Sequence, residues 1–268
     1  MAAPAVEGAA VTALRAVLHR VRHAAERSGR RADDVRVVAV SKTKPISLID
    51  QVYEAGHRCF GENYVQEIIE KAPQLPEDIE WHYIGHLQSN KVKALLTAVP
   101  NLAMVEGVDN QKVANNLDRV VSNIGRQPLK VLVQVNTSGE VSKSGVNPSE
   151  CMDLVKHVKL GCPNLEFSGL MTIGMLDYTS TPENFKSLLN CRTVVCKGLD
   201  MAESQLKTYP STRESSEVRS YFAILLCADG NPNTSKRNSG AMDIWLFTDK
   251  YVRSLALPLL TIPLMPAD

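Results

Sequence analysis

The run VRVVAVSKTKP, residues 35–45, decides the fold. Its apolar stretch from Val35 to Val40 carries no polar alternation beyond Arg36, the pattern of a strand buried on both faces. Lys42 stands at the carboxyl end, and Lys44 follows two residues on. In α/β sheets, ligands and chemistry collect at strand carboxyl ends. An amine held there against an apolar wall is pushed toward its neutral, nucleophilic form. If the strand continues, Lys44 shares a face with Lys42, since side chains alternate with period two. A second cation would lower the first amine's pKa further. This combination suits a lysine that forms an imine with a carbonyl compound. A lysine that only marks the chain's return to water is the competing reading.

Outward from this run, strand and helix alternate as far as residue 199. Strand-like runs follow at 57–63, 81–86, 101–109, 129–138 and 165–174, six in all with the first. Helical patterns lie between them at 46–56, 63–72, 90–98, 109–125, 147–158 and 181–198. In the last two, Asn147 and Thr181 stand as N-caps, each followed by a proline at the first helical position. Before the first strand, Leu14, Val17, Leu18, Val21 and Ala25 make one apolar helical face, which Gly29 ends. Regular βα alternation with apolar strands predicts a parallel sheet covered by helices. The fold class is therefore α/β, a (β/α)₈ barrel that is incomplete, with six βα units and a divergent tail. The division expected is 1–206 for the barrel region and 207–268 for the tail.

The tail breaks the pattern. Residues 207–220 are polar and turn-like, 221–230 hold one short apolar run, and 231–240 read as loop or disorder. Residues 241–268 are apolar but broken by Pro258, Pro263 and Pro266 and interrupted by Asp249, Lys250 and Arg253, so no membrane helix fits. A net charge of +1, with no basic stripe interleaved with aromatics, gives nucleic-acid binding no support. The six cysteines form no C-x-x-C pair and match no zinc or redox signature, and a reduced, cytoplasmic setting is expected. The Arg- and Ala-rich N-terminus leaves a mitochondrial or plastid presequence as the alternative, against which Glu7 and Glu26 count.

Polar groups mark several other strand ends. In FGENYVQE (60–67), Glu62 and Asn63 follow the second strand. Asn63 reads either as a contact to a ligand ring or as a helix N-cap. In WHYIGHLQSNK (81–91), His82 and His86 lie four apart on a strand-like stretch, which is not the helical H-E-x-x-H zinc motif, and no metal site is expected. Gln88 and Asn90 are candidate caps for the next helix. VQVNTSGEVSKSG (133–145) can hold a phosphate or merely turn, and it lacks the order of a nucleotide P-loop. Met171 and Ile173 read as barrel packing or a wall against a ring.

AVSKTKP (39–45), FGENYVQE (60–67), WHYIGHLQSNK (81–91), VQVNTSGE (133–140) and NLEFSGLMTIG (164–174) together resemble the pyridoxal phosphate homeostasis protein family over about residues 10–206. The resemblance implies the barrel of the alanine racemase N-terminal domain without that enzyme's second domain. It implies pyridoxal 5'-phosphate (PLP) as cofactor, held as a Schiff base on Lys42 with Asn63 beside it. It implies a role in buffering and delivering PLP (vitamin B6), with PLP-dependent apoenzymes as possible recipients and no firmly assigned turnover. The family's seventh and eighth strands supply the groups that hold the cofactor's phosphate, and nothing between Lys207 and Asp268 resembles them. The tail looks like unrelated sequence, which would leave strands one and six as apolar edges without outer neighbours. Two further readings stay open. One is a PLP-dependent amino-acid racemase or another PLP enzyme, which would need an acid/base opposite Lys42, such as a tyrosine from another domain; the tail's Tyr209, Tyr221 and Tyr251 sit in no racemase-like motif. The other is a non-functional truncated variant that lacks the phosphate site.

Overall fold

A computed structural model describes residues 8–29, 31–173, 181–206, 221–226 and 243–249. Seven helices and eight strands are described. They run in the order α1 (Ala9–Arg27), β1 (Val35–Val40), α2 (Ile46–Glu54), β2 (Cys59–Glu62), α3 (Val65–Lys71), β3 (Glu80–Tyr83), α4 (Val92–Ala98), β4 (Leu102–Val108), α5 (Gln111–Asn123), β5 (Leu129–Gln134), α6 (Cys151–Gly161), β6 (Leu165–Thr172), α7 (Thr181–Leu206), β7 (Tyr221–Leu226) and β8 (Asp243–Asp249). The strands close into a barrel in sequence order. Strands β1 to β6 are mutually parallel, as the βα alternation predicts.

The tail alters the expected edges. β7 pairs parallel with β6, and β8 pairs antiparallel with both β7 and β1. The expectation of two unpaired apolar edges is thereby corrected. An apolar edge leaves a row of peptide groups unsatisfied, and the two short apolar runs of the tail satisfy them by pairing. The barrel therefore departs from eight parallel strands: six βα units are closed by a final pair of opposite direction. Because β8 runs backward, Asp243 is the register partner of Val40, and Ile244 that of Leu226. The ends of β7 and β8 that flank 227–242 thus lie at the Lys42 end of the barrel. The polar stretches 207–220 and 231–240 and the proline-broken end 250–268 lie outside the described residues.

Among the described residues, the two larger apolar cores follow from the period-two alternation of the strands, and a third, small cluster joins Val21 to Val37. The larger fills the layer between sheet and helices, with Ala39, Phe60, Trp81, Tyr83, Val105, Val131 and Val133 facing Ile49, Ile68, Leu95, Leu117 and Val155. The smaller fills the barrel interior with Val38, Val40, Cys59, Ile84, Met104, Leu132 and Met171, against which Ile173 packs. Met171 and Ile173 are therefore interior packing.

Local signals place several helix ends. α1 buries Leu14, Val21 and Ala25, and the Ser28 hydroxyl donates to Ala24 O and Ala25 O before Gly29 turns the chain at φ +68°. Asn110 caps α5 by accepting from Val113 N at 2.9 Å. α6 differs from expectation. Asn147 forms a turn of its own, accepting from Ser149 N and Oγ, and the helix begins only at Cys151.

Candidate functional site

The site forms where β1 and β2 end. β1 stops at Val40 and does not continue to Lys44. Ser41 to Lys44 form a turn closed by Lys44 N donating to Ser41 O at 3.0 Å, with Thr43 in the left-handed region at φ 59°. The expected sharing of one strand face by Lys42 and Lys44 is therefore corrected, because the strand ends before either residue. Lys42 is half-buried in this turn, two residues beyond Val40 of the inner core.

The peptide groups on both sides of Lys42 are clamped by a buried ionic cluster. Lys71, from the last turn of α3, is 9% exposed. Its Nζ donates to Ser41 O at 2.8 Å, to Glu62 Oε1 at 2.6 Å and to Glu67 Oε2 at 2.5 Å. These three bonds use all three ammonium protons. Glu67 Oε2 also accepts from Thr43 N at 2.8 Å. Glu62, fully buried, accepts from the Ser41 hydroxyl at 3.1 Å through Oε1 and from Asn63 N at 2.9 Å through Oε2. One cluster thus fixes Ser41 O, Thr43 N and Asn63 N together. Burial raises the Glu62 carboxyl above its ordinary range despite the Lys71 ammonium. Burial also pulls Glu67 upward, but the bonds from Lys71 and Thr43 outweigh it, and its carboxyl is held below the ordinary range.

Asn63 lies beside this turn. α3 receives no side-chain cap bond, so the helix-cap reading of Asn63 is not met. Its Oδ1 is buried and has no hydrogen-bond partner among the described residues. The Asn63 carbonyl accepts from the Tyr83 hydroxyl at 3.0 Å, and burial together with the Glu62 charge pushes that phenol up to about 12. Gly85 is required here, because a Cβ would stand 2.1 Å from Asn63 O. A cleft of about 450 Å³ opens from Asn63 between α3 and α4, lined by Tyr64, Tyr83, His86, Gln88 and Lys91.

The other sequence candidates have structural explanations. His82 is buried and its Nδ1 lies 2.6 Å from Glu106 Oε1. His86 is exposed, near Asp109 and the Ser144 hydroxyl. Gln88 precedes a short 3₁₀ turn without a side-chain cap bond. The 133–145 loop is a turn organised by Asn136, whose Oδ1 accepts from Ser138 Oγ and Gly139 N and whose Nδ2 donates to Glu140 O. The sequence reading missed Lys71, Glu67 and Glu106. The available signals were the four-residue Glu67–Lys71 spacing and a carboxylate inside the apolar run of β4.

Barrel and site together define a class. The alanine racemase N-terminal domain family model matches residues 13–225, running past α7 into β7. The pyridoxal phosphate homeostasis protein of Homo sapiens is 47% identical over 206 residues, covering 73% of this chain and 74% of the relative. Among solved structures, a protein of Bifidobacterium adolescentis is 31% identical with a TM-score of 0.63, covering 71% of this chain and 80% of its own. PipY of Synechococcus elongatus PCC7942, solved with PLP bound, is 31% identical with a TM-score of 0.55, covering 67% of this chain and 82% of its own. The chain belongs to the pyridoxal phosphate homeostasis protein family, within the wider alanine racemase N-terminal domain class. Among the described residues no helix is long and apolar enough to cross a membrane.

Proposed function

We propose that this chain binds pyridoxal 5'-phosphate covalently at Nζ of Lys42 and serves vitamin B6 homeostasis as a carrier. The observation that carries this reading is the clamped turn. A lysine at a strand's carboxyl end has both neighbouring peptide groups fixed by Lys71 and Glu67, and it stands beside a buried acceptor, Asn63 Oδ1, that lacks a partner among the described residues. The relatives' name and the PLP in PipY agree with it.

The residues present fit the group. A primary amine is in place for a carbonyl, and the orphaned Asn63 oxygen suits a donor on a bound ring. The approach of the β3 end to Asn63 O at Gly85 leaves no room for a Cβ, so the floor of the site is backbone. Bound PLP supplies an aldehyde that condenses with a primary amine and a ring that accepts electron density. Lys42 provides the attaching amine, and Asn63 orients the ring. Lys71 and Glu67 hold the turn so that little conformational freedom remains to be lost on binding. Residues 1–206 are the PLP-binding region in this reading, and the tail serves to close the barrel. The chain carries PLP rather than turning over amino acids, and PLP-dependent apoenzymes are its recipients.

The test is a PLP titration of the purified protein followed by absorbance, with Lys42→Ala alongside. The parent develops a yellow band with one equivalent of PLP, and the variant does not. Equal bands in both proteins would overturn the assignment. α-Proton exchange of amino acids in deuterium oxide no faster than with free PLP is the carrier's signature; faster exchange would assign an enzyme.

A further inference from the structure

The amino half of the barrel interior holds a second set of chemically capable side chains, at the opposite end from Lys42. The register of β2 and β3 puts Cys59 directly across from Glu80, and Gly61 across from His82. Glu80 and His82 are two apart and share one strand face. Cys59 belongs to the inner core, so this is the face toward the barrel axis. One ligand atom from each of Cys59, Glu80 and His82 lies within 4.8 Å of the others. Cys59 and His82 are 7% and 0% exposed, whereas Glu80, at the first position of β3, is open to solvent.

The geometry points to a transition-metal site, with zinc(II) the best fit, formed by Cys59 Sγ, His82 Nε2 and a Glu80 carboxylate oxygen. Ligands at about 2.0–2.3 Å from a tetrahedral zinc lie roughly 3.3–3.8 Å apart, so small side-chain movements close the triad. A thiolate, an imidazole and one carboxylate suit zinc, whereas calcium and magnesium take oxygen ligands. Three protein ligands leave the fourth position to water, and exposed Glu80 marks the entrance.

A second observation comes from a residue outside the triad. Glu106 is fully buried, and its Oε1 engages His82 Nδ1 at 2.6 Å. Metal-bound histidines are held in this way by a carboxylate on the nitrogen that does not coordinate, which assigns Nε2 to the metal. The second oxygen, Glu106 Oε2, has no hydrogen-bond partner among the described residues. Arg36 and Lys130 act on His82 from the same interior, and Glu80 and Glu106 supply the opposing charge. On binding, Cys59 Sγ gives its proton to solvent and the metal exchanges waters for protein ligands, with no change of oxidation state.

The test is a titration of the full chain, free of PLP, with cobalt(II), which reports a thiolate ligand as a charge-transfer band. One equivalent of cobalt gives that band and tetrahedral visible absorption, and one equivalent of zinc abolishes both. Cys59→Ser removes the band. Glu106→Gln leaves every ligand in place and weakens cobalt binding by about 10–100-fold. Glu80→Gln, at an exposed position that the fold does not need, weakens it at least tenfold and keeps the proposal testable if Cys59→Ser does not fold. Absence of a thiolate band at one equivalent would overturn the proposal. A band that persists in Cys59→Ser, or affinity unchanged in both Glu80→Gln and Glu106→Gln, would also overturn it.

Discussion

Replacing Lys71 by methionine tests whether the clamp behind Lys42 is structural ballast or the device that shapes the site. Methionine keeps most of the side chain's volume and removes the ammonium. Three contacts of 2.5–2.8 Å vanish, and Glu62, fully buried, is left without its cation. Breaking a buried ion pair by removing one partner costs about 3–5 kcal/mol, most of it the uncompensated charge. For domains of comparable size, each kcal/mol moves Tm by about 2–4 °C, so Lys71→Met melts roughly 6–20 °C below the parent. Adding Glu62→Gln removes the stranded charge while keeping an acceptor for the Ser41 hydroxyl, and it restores at least half of the loss. The turn stays unclamped in that double variant, because Ser41 O still lacks its ammonium donor. PLP capture, read as borohydride-trapped cofactor at a fixed sub-saturating concentration, therefore remains impaired although Tm recovers. Differential scanning calorimetry and trapping, run in parallel on the three proteins, separate the two effects. A Lys71→Met protein that melts within 2 °C of the parent would refute the energetic reasoning. A double variant that captures PLP like the parent would refute the positioning role.

Three further outcomes follow from the same geometry. Gly85→Ala drives a Cβ to 2.1 Å from Asn63 O, so thermal melting falls by an amount equivalent to roughly 1–3 kcal/mol and PLP capture weakens with it; unaltered melting and capture would contradict the close approach. Thr43 holds φ 59°, a conformation that costs a β-branched residue about 1–2 kcal/mol, so Thr43→Asn, which leaves the Thr43 N–H bond to Glu67 intact, raises Tm; a fall would contradict it. Because the Glu67 carboxyl is held below its ordinary range, its contribution is present above the unfolded value of 4.5 and is lost as pH falls through the lower folded value. Urea melts between pH 3 and 6 then show a steeper acid loss for the parent than for Glu67→Gln, and parallel curves would contradict the assignment.

The fold was legible where the signal was local. Apolar runs with polar ends gave the six parallel strands, and 3.6-residue spacing with Gly29 gave the end of α1. The closing pair was not legible. Whether Tyr221–Leu226 and Asp243–Asp249 are strands depends on which sheet edges are vacant, a fact of the assembled barrel rather than of either run.

The site divides in the same way. Lys42 and Asn63 were visible because strand carboxyl ends announce themselves. Lys71 was hidden because Glu67 and Lys71, four apart on a helix, look like any solvated surface pair. Only the meeting of α3 with the ends of β1 and β2 buries the pair and adds Glu62. Cys59, Glu80 and His82 form no sequence motif, since they meet across two strands through register alone. The carboxylate of Glu106 within LAMVEGV, like Arg36 within VRVVAV and Lys130 within LKVLVQ, was a local anomaly that pointed to a polar feature inside the barrel.

The central claim is that Lys42 carries the cofactor. The most direct measurement is borohydride reduction of the PLP-loaded full chain, followed by peptide mass mapping. The account predicts one phosphopyridoxyl group per chain, on the peptide containing Lys42 and absent from Lys42→Ala. Modification spread over surface lysines, or concentrated on Lys44, Lys71 or Lys91 in the parent, would contradict it.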